Sequence, residues 1–277
     1  MMAVIVRRDD EMPHVFGMIH TAALPGSPGW KGSMPMVIDA ARADLESYRR
    51  GGVDGVIVEN MHDRPYLLGR VEPETTAAMS AVCLALRMEA PDMPMGVQVL
   101  AGANREALGV ALAAGLDIIR VEGFAYAHVA DEGILEACAG PLLRTRAALD
   151  ARHVQIIADV KKKHASHALT GDLSLEAVAR GTAFCLPDAL ILTGEETGVA
   201  PEISSVAAVR CGVDVPLLIG SGVDEANVAY FLEADGLIVG SAFKYEGDWR
   251  RPVDAGRVGS FMRALKQAWE RRASKGG

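Results

Sequence analysis

The sequence predicts an α/β fold, a single (β/α)8 barrel spanning residues 1–277, and three observations carry that expectation. Eight short runs rich in Val, Ile and Leu recur along the chain; each but the last two is followed by a long stretch with helical apolar spacing. The runs are almost wholly apolar, as strands buried on both faces of a parallel sheet are. Aspartate stands just before four of them, Asp54, Asp117, Asp188 and Asp235, a weak internal repeat that opens strands two, four, six and eight. Asp is also a common αβ-turn residue, so the motif marks strand starts on either reading.

In order, the strands fall near 15–20, 55–60, 95–100, 118–123, 155–161, 189–194, 216–222 and 236–242. A helix is expected between the last two, starting at Asp224 and running through Asn227 and Phe231 to Ala234. A closing helix is expected over Val258–Arg271, with Phe261, Met262, Leu265 and Trp269 on one face, packed on the barrel wall or against another subunit. The main rival, a doubly wound open sheet, would carry a GxGxxG turn after its first strand, and this chain has none there.

Segments leaving strands are long, as in His20–Met36, Asn60–Val71, Gly123–Glu132 and Lys161–Asp172, whereas those entering strands are short. Long loops gathered at the C-terminal strand ends place the working face there. The first loop, Leu24–Pro28 followed by Trp30, suits either a lid or a fixed cover of the rim.

Composition narrows the partners. The formal charge is −8, from 28 Lys+Arg against 36 Asp+Glu, which argues against nucleic acid. The N-terminus is charged too soon for a secretory signal, and no apolar run reaches bilayer length, so no membrane insertion and a cytoplasmic location are expected. Cys83, Cys138, Cys185 and Cys211 stand singly without a CxxC and are expected as buried thiols. A homo-oligomer is expected.

Candidate chemistry lies at the strand ends. Gly220, Ser221, Gly222 and Val223 after strand seven, with Gly240 and Ser241 after strand eight, offer backbone N–H groups to one oxyanion, the place where this fold usually holds phosphate. Strand five starts apolar and then carries charge; with period two, Ile157, Asp159, Lys161 and Lys163 share one face, followed by His164. An acid and amines at a barrel mouth can be tuned for proton transfer, or can form a salt bridge that plugs the end. His20, Glu59, Asn60, Gln98, Arg120, Glu122 and Thr193 repeat this polar pattern on other strands, and the turn Thr193–Gly198 lies close to the phosphate cradle. The catalytic candidates are Asp159, Lys163, His164, Glu59 and His20. Asn60, Gln98, Arg120, Glu122, Lys161 and Thr193 join the two glycine turns as binding candidates. His20, Glu59, Asp159 and His164 could ligate a divalent metal, but no HxH or HExxH spacing occurs, and no cofactor is expected. Lys163 as a Schiff-base nucleophile is a further option left uncommitted.

Across nearly its whole length the chain resembles the BtpA family. The matching blocks are Gly17–His20 with Leu24–Pro28, Gly51–Asn60, Val71–Thr75, Ala158–Asp159 with Lys163–Ala165, Thr193–Gly194 with Thr197–Gly198, Gly220–Val223, and Ala234–Gly240 with Lys244. Two departures stand out: Gln98-Val-Leu-Ala101 where the family pattern is Asn-Val-Leu-Arg, and Glu122 where Asn is common. The resemblance implies a TIM barrel of the phosphate-binding kind. It also implies one of two functions. One is photosystem I biogenesis, from which the family takes its name; the other is an enzyme activity on a sugar-like or nucleoside-like phosphorylated metabolite.

Overall fold

The computed structural model describes residues 5, 11–194 and 200–274. Eight parallel strands close into a barrel: β1 His14–His20, β2 Gly55–Glu59, β3 Met95–Gln98, β4 Ile118–Val121, β5 Gln155–Asp159, β6 Ala189–Thr193, β7 Leu217–Gly220 and β8 Gly236–Val239. Each pairs with its sequence neighbours, and β8 returns to β1 through Phe16 opposite Ile238. Around them stand α1 Met34–Gly51, α2 Pro73–Glu89, α3 Asn104–Ala114, α4 Ala139–Ala148, α5 Leu175–Phe184, α6 Ile203–Gly212 and α7 Ala255–Ala273.

Because strand side chains alternate, each run feeds two cores. Phe16, Met18, Ile57, Ile118, Ile157, Ile191, Leu218 and Ile238 fill the barrel, joined at its N-terminal end by Ile5. The intervening residues, such as Val58, Ile156, Leu192 and Val239, pack outward against the helices. Gln155 clasps Ile5 from both sides: its Oε1 accepts from the Ile5 N–H at 2.8 Å and its Nε2 donates to the Ile5 carbonyl at 2.8 Å.

The four aspartates do one repeated job. The carboxylates of Asp54, Asp117, Asp188 and Asp235 accept from the N–H of Val15, Met95, Ile156 and Leu217 at 2.8, 2.9, 2.7 and 2.7 Å. Each thereby ties the start of an even strand to the start of the odd strand before it. Three of them also bind an arginine from the helix preceding that odd strand: Arg87 to Asp117, Arg146 to Asp188 and Arg210 to Asp235.

The strands stop sooner than their apolar composition suggests. Left-handed backbone at Gly123 (φ 61°), and at Ser221 and Gly222 (φ 74° and 69°), turns the chain out of the ladder while the residues stay buried or half-buried. The helix expected over Asp224–Ala234 is replaced by one 3₁₀ turn, Val228–Tyr230. Asp224 Oδ1 accepts from the N–H of Ala226 and Asn227, as a helix N-cap does, but the bonds that follow run three residues back, Tyr230 to Asn227, Phe231 to Val228 and Ala234 to Phe231, so the segment tightens into 3₁₀ turns. The loops after β4 and β5 contain a small antiparallel sheet that apolar patterning did not reveal, its central strand His128–Ala130 flanked by Gly133–Leu135 and Ala165–Ser166.

Helix α7 buries Val258, Phe261, Leu265 and Ala268 against α1 and the last turns of the barrel. Leu24 is fully buried, and its N–H donates to Asp63 Oδ1 at 2.7 Å, which fixes the first loop on the rim. Cys83 is buried, Cys138 and Cys185 are half-buried, and Cys211 is exposed, contrary to expectation, on α6. No helix among the described residues is long and apolar enough to cross a membrane.

Candidate active site

The inward face of every strand changes character at one step. Two residues beyond Met18, Ile57, Gly96 and Ile118 come His20, Glu59, Gln98 and Arg120. Two beyond Ile157, Ile191, Leu218 and Ile238 come Asp159, Thr193, Gly220 and Gly240. Period two thus crowns an apolar core with a polar mouth, and only β7 and β8 supply glycine there. A Cβ at Gly240 would stand 3.6 Å from Met18 and 3.9 Å from His20 Cε1, so its absence leaves open space beside the histidine.

That space is a cavity of about 240 Å³. One wall is the pair of glycine turns. Among the described residues, the N–H groups of Gly222, Val223, Gly240 and Ser241 have no acceptor. Lys163 Nζ stands 3.5 Å from Ser221 Oγ, and Arg257, whose Nε donates to the Ala242 carbonyl at 2.8 Å, adds a second cation. Burial, then the Arg120 charge, lowers the Lys163 pKa.

Beside the Gly240 turn stands an acid/base pair. His20 Nδ1 lies 3.0 Å from the Trp249 carbonyl, which can only accept, so Nδ1 carries the proton and Nε2 presents its lone pair. Nε2 faces Glu59 Oε2 at 3.6 Å. Burial, reinforced by the charge of Lys244, drives the His20 pKa down to about 3, while burial raises that of Glu59 against the pull of Arg120 and Lys163. A neutral imidazole beside a reluctant carboxylate can pass one proton between them.

Beneath them Arg120 grips Asp159 in a two-point pair, Nε to Oδ2 at 3.2 Å and NH2 to Oδ1 at 3.1 Å. Both side chains are buried, so Asp159 is occupied as a charge partner and aims Arg120 at the cavity. Glu122 lies deeper, with Oε2 3.4 Å from Lys162 Nζ; the same ammonium is 3.5 Å from Glu132 Oε2. Burial pushes the Glu122 carboxyl up to about 7.

The structure therefore gathers His20, Glu59, Arg120, Lys163 and the two glycine turns around one cavity. It moves other candidates away. His164 is exposed on a left-handed turn (φ 56°), because the ladder ends at Asp159 and alternation lapses beyond it. For the same reason Lys162, expected on the outer face, reaches the buried acids, while the Lys161 carbonyl accepts from Thr193 Oγ1 at 3.1 Å. Asn60 bridges Asp63 and the Leu100 N–H, and Gln98 is buried beside the ring without lining the cavity. Glu195–Val199 of the turn after β6 lie outside the described residues. Among the described residues no three His, Cys, Asp or Glu side chains converge as metal ligands; Asp159 is engaged by Arg120, and His164 is exposed away from His20 and Glu59. Sequence reasoning missed Met18, Trp249 and Arg257; only Arg257, in the first turn of the closing helix, carried a signal, a charge beside the glycine turns.

A family model described as the BtpA family matches residues 11–267. The chain belongs to the BtpA family. Among its relatives, an uncharacterised mitochondrial protein of Caenorhabditis elegans is 44% identical over 255 residues, 91% of this chain and 92% of its own. The photosystem I biogenesis protein BtpA of a Synechocystis strain is 34% identical, covering 94% of this chain and 91% of its own. Among solved structures, thiamine phosphate pyrophosphorylase from Pyrococcus furiosus superimposes with a TM-score of 0.57 at 14% identity, covering 94% of this chain and 98% of its own. The 3-hexulose-6-phosphate synthase of Salmonella typhimurium gives 0.56 at 14% identity, covering 92% and 99%. At such identity these structures establish that this BtpA-family chain has the TIM-barrel fold, and nothing finer.

Proposed function

We propose that the barrel mouth is an acid/base active site for a small phosphorylated metabolite, sugar-like or nucleoside-like, in an isomerase, lyase or glycosyl-transfer reaction. The observation that carries the reading is the division of one cavity: donors without acceptors and two cations on the β7/β8 side, a His20–Glu59 pair on the β1/β2 side. The phosphate is held by the amides of Gly222, Val223, Gly240 and Ser241 with Lys163 and Arg257, as backbone donors and cations hold oxyanions generally. Glu59 and His20 move the proton, and Arg120, aimed by Asp159, steadies negative charge developing on the substrate. That class of ligand agrees with the names of two enzymes sharing this fold, thiamine phosphate pyrophosphorylase and 3-hexulose-6-phosphate synthase.

A thermal-shift screen tests it. Inorganic phosphate or a sugar phosphate is expected to raise the melting temperature, by about 2.7 kcal/mol of stabilisation at a hundredfold excess over Kd, and Gly222→Asp to abolish the rise. No response to phosphate, pyrophosphate or any sugar phosphate overturns the reading. The name of the Synechocystis relative supports a second reading, a non-catalytic assembly factor. That reading expects a folded chain without small-ligand response and capture of a protein partner. Cytoplasmic placement and self-association belong to the first proposal, with gel filtration and cell fractionation as their checks.

A further inference from the structure

We propose that a second cavity, behind His20 and Trp249 as seen from the phosphate cradle, binds an aromatic anion of one or two rings. The cavity measures about 590 Å³, and among the described residues His20 alone borders both it and the mouth. The partition is built from rings: the His20 Nδ1–H is held by the Trp249 carbonyl, and the His62 ring lies 5.1 Å from the Trp249 ring.

The lining is apolar in body and basic at the rim. The first turns of α1 leave Met36, Val37 and Ala40 facing Trp30 across the cavity, and Met36 is 67% exposed although the helix has an apolar core to pack on. Around this floor stand Lys31, Arg64, Arg250 and Arg251. Arg250 and Arg251 are engaged by Asp248 and Glu246, whereas Lys31 and Arg64 have no carboxylate partner among the described residues. The Arg64 guanidinium instead lies 4.9 Å from the Trp249 ring centre, a planar cation offered to a further ring or oxyanion. The one acid on the wall, Asp44, is neutralised by Lys244 at 2.9 Å and by the Val253 N–H at 2.8 Å. An apolar slot edged by two cations that carry no carboxylate partner among the described residues suits a flat hydrophobic body bearing a carboxylate, sulfonate or phosphate. A ligand held there rests against the imidazole whose other side faces the mouth, so two ligand parts meet at the acid/base pair. Only this role rests on the proposed function of the mouth; the binding does not.

The probe is 1-anilinonaphthalene-8-sulfonate, titrated into the full chain and followed by fluorescence and calorimetry. Saturable binding of about one probe per chain is expected, tenfold or more weaker in the Lys31→Glu/Arg64→Glu variant and lost in Ala40→Trp, which fills the slot. Undiminished binding in either variant overturns the proposal. Melting curves confirm that each variant folds; if Ala40→Trp does not, the exposed Met36→Glu is expected to weaken the probe tenfold or more, and unchanged affinity there counts against the site. Inorganic phosphate is expected to leave the probe bound, and its competitive displacement overturns the claim of two cavities. A chain that binds the probe as expected but shows no response to phosphate refutes the reading of the mouth and leaves this one standing.

Discussion

His20 illustrates how one hydrogen bond sets a residue's chemistry. The Trp249 carbonyl fixes the Nδ1–H tautomer, and burial holds the pKa near 3, so the imidazole is neutral throughout the range in which enzymes work. Nitrogen-15 NMR is expected to report Nδ1 protonated and no His20 titration between about pH 5 and 8; a midpoint near the ordinary 6.5 would show that burial and Lys244 do not hold this ring neutral. Glu122 gives the opposite sign. Its folded pKa of about 7 exceeds the ordinary 4.5, so its contribution is fully present below pH 4.5 and is lost as pH rises through 7. Glu122→Gln is expected to flatten the fall in unfolding free energy across that window, by up to about 3 kcal/mol in urea titrations. A slope identical to the parent's would place the titration on another group. The inward set His20, Glu59, Arg120 and Asp159 was legible because period two holds along a strand; Lys162 was misplaced because the strand had already ended.

At the level of elements, the aspartate repeat carried more structure than its sequence disclosed. The motif marked strand starts correctly, yet its partners, a neighbouring strand N–H and a helix arginine, lie 18–42 residues away and leave no local pattern. The four copies are not equivalent. Asp235 is fully buried with Arg210, whereas the Asp54 side chain is 38% exposed and, besides the Val15 N–H, has among the described residues His14 at 3.9 Å in place of an arginine. Asp235→Ala leaves a guanidinium and the Leu217 N–H without their acceptor and is expected to cost roughly 3–5 kcal/mol. Asp54→Ala loses one partly solvated hydrogen bond and is expected to cost about 1 kcal/mol. Chemical denaturation decides between this ordering and equal losses, which would mean that the aspartates act only as turn formers. The missing helix between β7 and β8 has a different cause: Asp224 caps the segment as a helix start would, but the turns after it close on bonds three residues back, a 3₁₀ choice that the apolar spacing does not disclose.

The whole molecule separates stability from ligand binding along the barrel axis. At the N-terminal end Ile5 completes the interior apolar cluster and Gln155 satisfies both of its backbone groups. At the other end the same interior terminates in glycines and paired charges around a cavity. Ile5→Ala removes a buried side chain from a closed core and is expected to cost roughly 2–5 kcal/mol while leaving the phosphate-induced thermal shift unchanged. Gly240→Asp does the reverse. A Cβ there meets its neighbours at ordinary contact distance, 3.6 to 3.9 Å, so the site has room for the substitution. Its carboxylate, however, enters the cradle beside His20 and repels an anion, so the shift is expected to vanish with little change in the parent melting temperature. The two ends communicate only through a rigid, close-packed core, which makes the pair of variants a crossed test. If Ile5→Ala also weakened phosphate binding, the mouth would depend on the far end of the barrel, and the layered separation read from these strands would fail.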